Sequence, residues 1–318
     1  MVLEEDDDIK EKKAPRISIG LAVYNGERHL EKAIESILNQ TFTDFELIIS
    51  DNASTDSTPE ICKRYALKDS RIRYSRNQTN IGGANNENLT FMSARGAYFR
   101  WAAHDDVVAP RFLEICCNIL DAHPDVVLCH TQTVIIDEFD DQKNIISRNK
   151  ATSARPSERF AELTPLDHDC EETYGLMRSV VLQQTGLQRN YTDSDRTLLA
   201  HLSLLGKYHQ VAEPLFFKRI HAEMSTQVYA DWRQRMGWFG EEYRDKVNYP
   251  YFLQFWHYLT IISSAPISGQ EKFRCYRHMA YWILRYRRWQ GVGQDVVFAS
   301  FGKLRRLARR CLSVIVSH

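Results

Sequence analysis

The sequence predicts an α/β fold: a mostly parallel central sheet of Rossmann-like type, flanked by helices and followed by a C-terminal helical extension. Three observations carry that expectation. Short apolar runs alternate with amphipathic helical stretches about every twenty residues through the first half of the chain. Most of these runs end in turn or acidic residues, as strands do at the edge of an open sheet. Past residue 230 the pattern changes to helices rich in Trp, Tyr, Phe and Arg.

Taken in order, residues 1–14 are charged and aperiodic and read as a flexible acidic tail. Ile17, Ile19, Leu21 and Val23 alternate within a buried strand that ends at Tyr24-Asn25-Gly26. Leu30, Ala33, Ile34, Ile37 and Leu38 then form the stripe of an amphipathic helix. A second strand over 45–49 closes on Asp51-Asn52-Ala53-Ser54-Thr55-Asp56. Ser57 or Thr58 is expected to cap the next helix, with Pro59 in its first turn. A third strand, 72–75, runs into a polar turn over 77–83, and a helix follows to about residue 94.

Residues 98–103 read as a strand that breaks into two adjacent carboxylates, Asp105 and Asp106. Pro110 suits the first turn of the following helix, 110–122. A strand over 126–136 comes next, and the regular alternation stops at 137–169, which is polar and weakly periodic. Residues 174–187 are apolar again, and Asp193 and Asp195 open a helix that Gly206 stops.

Composition excludes several classes. The 318 residues are 43% hydrophobic and 26% charged with zero formal net charge, which is ordinary for a globular protein. Seven cysteines without C-x-x-C spacing argue against a disulfide framework or a zinc site and point to a reducing cytoplasm. The start lacks a signal peptide pattern, and the most apolar window is too short to span a bilayer. The expectation is a cytoplasmic protein, peripheral at the membrane's inner face if it meets a membrane at all. Charge is uneven: residues 274–310 hold ten Lys or Arg against the single Asp295. A basic helix over 301–315 could lie on an anionic membrane surface or pack on the preceding aromatic segment. No nucleic-acid motif accompanies those charges, so nucleic-acid binding is not expected.

Two carboxylates side by side at the carboxyl edge of a sheet repel each other unless a cation lies between them, and a hard divalent ion bridging to phosphate is the usual answer. The first strand ends without the G-x-G-x-x-G of a dinucleotide site or the G-x-x-x-x-G-K-[ST] of a P-loop. At this point Val23-Tyr24-Asn25-Gly26, Asp51 to Asp56, His104-Asp105-Asp106 and Ser194-Asp195, in this order and spacing, resemble family 2 glycosyltransferases of the GT-A fold. Residues 38–42, Gly175-Leu176-Met177-Arg178 and Arg219-Ile220-His221 resemble further family segments, so the match covers about residues 15–226. The remainder, 227–318, is the helical region.

The resemblance implies an inverting, metal-dependent transferase that moves a sugar from a nucleotide-diphospho-sugar, a UDP-sugar by preference, to a saccharide or lipid-linked acceptor. It assigns Asp195 as the catalytic base, with Asp193 as the rival two residues away. It places Val23, Tyr24, Asn25, Asp51, Asn80, Asp105 and Arg219 on the nucleotide and donor, Asp51 against a uracil imide. Asp106, with His221, would hold Mg2+ or Mn2+. His104 stands where the family often has an acid. Arg288-Trp289 is not preceded by the Gln of the processive synthases, since Arg285 stands there, which favours single transfer. Two alternatives stay open: a non-catalytic sugar-nucleotide-binding protein, and a nucleotidyltransferase on a related sheet.

Overall fold

The computed structural model describes residues 14–164, 170–228 and 250–285, together with residue 293. The acidic tail before residue 14, the Arg288-Trp289 pair and the basic stretch over 301–315 lie outside the described residues. Four parallel strands come first: β1 (Ile17–Val23), β2 (Phe45–Asp51), β3 (Ile72–Arg76) and β4 (Tyr98–Ala102). They are followed by β5 (Val107–Val108), β6 (Val126–Ile136), β7 (Gln142–Ile146), β8 (Leu176–Arg178) and β9 (Lys207–Arg219). The sheet runs β3-β2-β1-β4-β8-β6-β9-β5, with β7 paired on β6. β8 is antiparallel to both neighbours, so β6 and β9 regain the direction of β1 to β4.

Alternation along the strands builds two apolar layers. Ile17, Ile19, Leu21 and Val23 face α1 (Leu30–Leu38), α2 (Thr58–Lys68) and α4 (Phe112–Ala122) in the larger cluster. On the opposite face α3 (Gly83–Met92) and α7 (Ser194–Leu205) contribute Phe91, Leu198, Leu199 and Leu202 to a second cluster around Phe99 and Trp101. The polar stretch after β6 contains a helix, α5 (Pro156–Leu163), besides β7, and the apolar stretch after it holds a 3-10 turn (Glu171–Tyr174), β8 and α6 (Ser179–Leu182). These pieces are too short for periodicity to mark them in the sequence. After α8 (Ser225–Val228), helices α9 (Pro250–Ser264) and α10 (Gly269–Arg285) pack with α5 and α7 in a third cluster built on Phe160, Leu204, Ile262 and Trp282.

Three local expectations change. Ser57 sits at the N-cap of α2 without a side-chain bond, and Asp56 Oδ1 instead accepts the Thr58 N–H at 3.0 Å. Pro110 precedes α4 rather than lying in its first turn, and its carbonyl accepts the Thr41 N–H at 2.8 Å. Gly206 ends α7 with extended backbone, φ −176°, so left-handed freedom is not its purpose. A Cβ there would lie 2.1 Å from Val127 Cγ1, and close approach to β6 is the reason for glycine. The same holds at Gly20 in β1, where a Cβ would meet Thr90 Oγ1 at 2.1 Å and Phe99 at 2.7 Å.

At the other edge of the sheet a buried carboxylate, Glu46, ties three strands. It accepts Ser18 Oγ at 2.7 Å, Arg95 Nη2 at 2.7 Å and Arg73 Nη1 at 2.9 Å. Burial by itself would raise its pKa, but the bonds from Arg95, Ser18 and Arg73 outweigh burial and hold it below the ordinary value.

Two stability measurements check this packing. Gly20→Ala should lose about 1–3 kcal/mol in chemical denaturation, because α3 cannot withdraw from β1 without opening the second cluster. Glu46 is depressed on folding, so its contribution is fully present above the unfolded value of about 4.3 and is lost as pH falls through the lower folded value. The gap in urea midpoint between wild type and Glu46→Gln should therefore be constant at neutral pH and close in acid; a gap that persists into acid would contradict the account.

Candidate functional site

Parallel strands put the ends of β1, β2 and β4 on one edge, and a cavity of about 1170 Å3 opens there. The β1–α1 loop forms one side. Asn25 takes the left-handed conformation, φ 52°, which Asn tolerates. It is stitched to the next loop: its N–H donates to Ser54 Oγ at 2.9 Å, and its Oδ1 accepts the Thr55 N–H at 2.8 Å. Gly26 N–H donates to Thr58 Oγ1 at 2.9 Å. These bonds leave Tyr24 44% exposed on the cavity wall.

Three of the expected donor residues do not line the cavity. Val23 belongs to the apolar core. Asp51 is 0% exposed: Oδ1 accepts the Ser54 N–H at 2.8 Å, while Oδ2 takes Tyr74 Oη at 2.9 Å and Arg76 Nε at 3.3 Å. A base could reach Asp51 only if Tyr74 or Arg76 moved. Asn80 Oδ1 accepts Asn52 Nδ2 at 2.8 Å and the Gly82 N–H at 2.9 Å, and so closes the loop between β3 and α3.

The paired acids line the cavity in the turn between β4 and β5. Asp105 Oδ2 meets His221 Nε2 at 2.9 Å, and Asp106 Oδ1 accepts the Arg219 N–H at 2.8 Å. Burial opposes charge on both. At Asp105 the charges of His104 and His221 and the histidine bond win, pulling it down to about 2. Asp106 goes well above the usual carboxylate range through burial and then the charge of Asp105, against the pull of Arg219, Lys218 and Arg100. Arg100 is a buried guanidinium beneath the turn, 4.5 Å from the Phe112 ring centre.

Arg219 does not reach the cavity. It is 0% exposed and holds the turn from behind, with Nε donating to Asp105 O at 2.9 Å and Nη1 to Asp137 O at 2.9 Å, and with Nη2 paired to Asp140 at 2.6 Å. His221 does line the cavity, against the ring of His29 at 4.9 Å, and its buried Nδ1 has no hydrogen-bond partner among the described residues.

No cluster of three or more His, Cys, Asp or Glu among the described residues forms a ready-made cage for a metal ion. What is present is a hard two-carboxylate edge in which Asp105 is held charged while burial and the Asp105 charge push Asp106 toward the neutral form. That donor set fits a cation shared between one or two carboxylates and ligand phosphates, as Mg2+ is commonly held.

Asp193 and Asp195 both line the cavity at the start of α7. Asp193 is the N-cap in left-handed conformation, φ 66°, with its side chain 48% exposed. Asp195 lies deeper. Its Oδ1 accepts the Arg196 N–H at 2.8 Å, and burial followed by the charge of Asp193 raises its pKa. The backbone around the pair is fixed by α9, where Gln254 Nε2 donates to Asp193 O at 3.4 Å.

Sequence reading missed other cavity residues: Glu27, Arg28 and His29 after the Tyr-Asn-Gly turn, Glu87 on α3, Tyr174 in the 3-10 turn, Arg196 beside the candidate base and Lys218 on β9. His29 and Lys218 lie close to quoted segments and could have been flagged by proximity. Glu87 had no local signal, being one acid in an uneventful helix.

The family model described as "Glycosyl transferase family 2" matches residues 18–186, more than half of the chain. EpsE of Bacillus subtilis, provisionally named a glycosyltransferase, is 39% identical over 126 residues, covering 39% of this chain and 45% of that protein. The chondroitin synthase of Escherichia coli is 28% identical over 225 residues, covering 68% of this chain and 30% of the synthase. The matched stretch spans less than half the length of either relative. Among solved structures, S. aureus TarS in complex with UDP-GlcNAc superposes with a TM-score of 0.62 at 14% identity, over 85% of this chain and 73% of that one. The mannosyltransferase PcManGT of Pyrobaculum calidifontis, in complex with GDP-Man and Mn2+, gives 0.54 at 15% identity, over 95% and 81%. At such identities the likeness concerns the fold, a curled mixed sheet flanked by helices. The chain belongs to glycosyl transferase family 2 and has the GT-A fold.

Proposed function

We propose that this chain is an inverting, divalent-cation-dependent glycosyltransferase that takes a nucleotide-diphospho-sugar, a UDP-sugar by preference, as donor and a saccharide or lipid-linked saccharide as acceptor. The observation that carries this is the meeting of Asp105–Asp106 and Asp195 in one cavity, from segments ninety residues apart in sequence. Tyr24 and Asn25 form the nucleotide edge, with Val23 and Asp51 supporting it from behind and Asn80 holding the adjoining loop. Asp106 and Asp105, with His221 beside them, take the cation and the diphosphate, and Arg219 keeps their turn in place. Neighbours of the same fold bound to UDP-GlcNAc or to GDP-Man with Mn2+ support a nucleotide-sugar and a divalent ion. Mg2+ or Mn2+ held there would offset the charge that develops on the departing nucleoside diphosphate.

The chemistry is one displacement. An acceptor hydroxyl oxygen bonds to the anomeric carbon, its proton passes to the Asp195 carboxylate, and the bond from that carbon to the phosphate oxygen breaks with its electron pair going to the leaving diphosphate. Attack from the side opposite the leaving group inverts the anomeric centre. Asp195 suits the base because burial makes it more basic than an ordinary carboxylate, whereas Asp193 is half exposed and lies 3.9 Å from Arg196.

Calorimetry with UDP and GDP tests the donor end. UDP should bind wild type tightly only with Mn2+, and Asp106→Ala should abolish the dependence on the ion; binding of neither nucleotide under any condition would remove the reading. At the acceptor end, Asp195→Asn should lower kcat by about 10²–10⁴-fold while UDP affinity stays unchanged. Because Asp195 must be ionised and its pKa is raised, the acid limb of kcat/KM should lie above the ordinary aspartate value of about 3.9. Transfer by Asp195→Asn at the wild-type rate would move the base to Asp193.

A further inference from the structure

Glu87 is a cavity carboxyl that the mechanism above does not use. It lies on α3 three residues after Ala84, and both line the cavity. Its backbone is fixed, since its carbonyl accepts Thr90 Oγ1 at 2.6 Å and Trp101 Nε1 at 3.0 Å. Its carboxyl, by contrast, has no hydrogen bond or ion pair with any described residue. A partly buried glutamate kept without a partner gains nothing for stability.

A set of hydrogen bonds carries Glu87 to the candidate base. Asn88, the next residue, donates through Nδ2 to Gln188 O at 2.8 Å and accepts the Gln188 N–H at 3.1 Å. Ser194, the residue before Asp195, donates to Gln188 Oε1 at 3.2 Å. Asn190 Nδ2 donates to Asn85 Oδ1 at 3.2 Å, a second tie between α3 and the loop before α7. Gln188 itself lines the cavity. The chain neighbours of both carboxyls are therefore held by one glutamine, which fixes the two acids relative to each other. The electrostatics agree: burial, then the charge of Asp195, pushes Glu87 up to about 8. A carboxyl that keeps its proton near neutrality both donates and accepts, which matches a sugar hydroxyl and leaves the negative charge on the base.

We propose that Glu87 is an acceptor-positioning residue, hydrogen-bonded to a hydroxyl of the acceptor sugar adjacent to the one that Asp195 deprotonates. This rests on the transferase reading. Most of the cavity's basic and imidazole side chains, Arg28, His29, His104, Lys218 and His221, come from the segments around β1, β4 and β9 near the paired acids, where an anionic diphosphate belongs; the exception, Arg196 beside the candidate base, lies 3.9 Å from the Asp193 carboxylate. The neutral, hydroxyl-bearing partner is left for the segment with Glu87.

Transfer by the full chain is followed as nucleotide release from a panel of UDP- and GDP-sugars, with p-nitrophenyl glycosides as acceptors and with water alone. Glu87→Ala should raise the acceptor KM at least tenfold while donor KM and donor hydrolysis in water stay within twofold. Glu87→Gln, which keeps the shape and a donor, should remain within threefold of wild type. An unchanged acceptor KM in Glu87→Ala, or a donor KM that rises equally, would overturn the role while leaving the transferase reading intact. A wild type that releases nucleotide from no donor with any acceptor would end both.

Discussion

One buried cation, the guanidinium of Arg219, is the constraint on which the candidate site depends. The register of β9 places it: Ile136 of β6 pairs with Arg219, and Val107 of β5 pairs with Phe217 two residues before it. From that position one side chain and its own N–H engage Asp105, Asp106, Asp137 and Asp140. A fully covered charge must be compensated, and stranding one member of such a set costs on the order of 3–5 kcal/mol. The turn with the paired acids is therefore locked to the strand edge beneath it. That lock presents two adjacent carboxylates to a cavity in a fixed geometry although they repel each other.

The repulsion is itself informative. In a solvated loop, neighbouring aspartates would both ionise. Here they are driven apart, Asp105 toward the charged form by His221 and His104 and Asp106 toward the neutral form by burial. Arg100 and Lys218 favour the charged form of Asp106 without reversing that. Positive charge placed in the cavity is what would relieve the conflict, which is the electrostatic ground for putting a cation there in the proposed function.

The C-terminal helices bear on the site through packing. Leu204 and Ala200 of α7 share an apolar cluster with Tyr258, Ile262 and Trp282, and Trp282 Nε1 donates to Thr164 O at 2.8 Å beyond α5. The helix that carries Asp195 is thus clamped between the sheet on one side and α9 and α10 on the other. His257 Nδ1 lies 3.1 Å from Tyr191 Oη, and Gln254 reaches the Asp193 carbonyl, so the loop before α7 is held as well. Among the described residues no helix is long and apolar enough to cross a membrane.

The sequence by itself determined the alternation of strands and helices, the strand over Val126–Ile136, the carboxylates at the ends of β2 and β4 and the family, because hydrophobic period and turn chemistry are local and survive in one dimension. It also singled out four of the eight acids that line the cavity, Asp105, Asp106, Asp193 and Asp195. Tertiary structure decided which of the quoted residues line the cavity: Tyr24, Asn25, Asp105, Asp106, Asp193, Asp195 and His221 do, while Val23, Asp51 and Arg219 are buried behind it and Asn80 is exposed outside it. A motif fixes residue types and spacing, but exposure depends on what packs behind, and neither Tyr74 over Asp51 nor Asp140 against Arg219 is visible in a motif. Glu87 marks the limit most plainly. Nothing within its helix separates it from any solvated glutamate, and only the pairing of α3 with the loop before α7, through Gln188, brings it to Asp195.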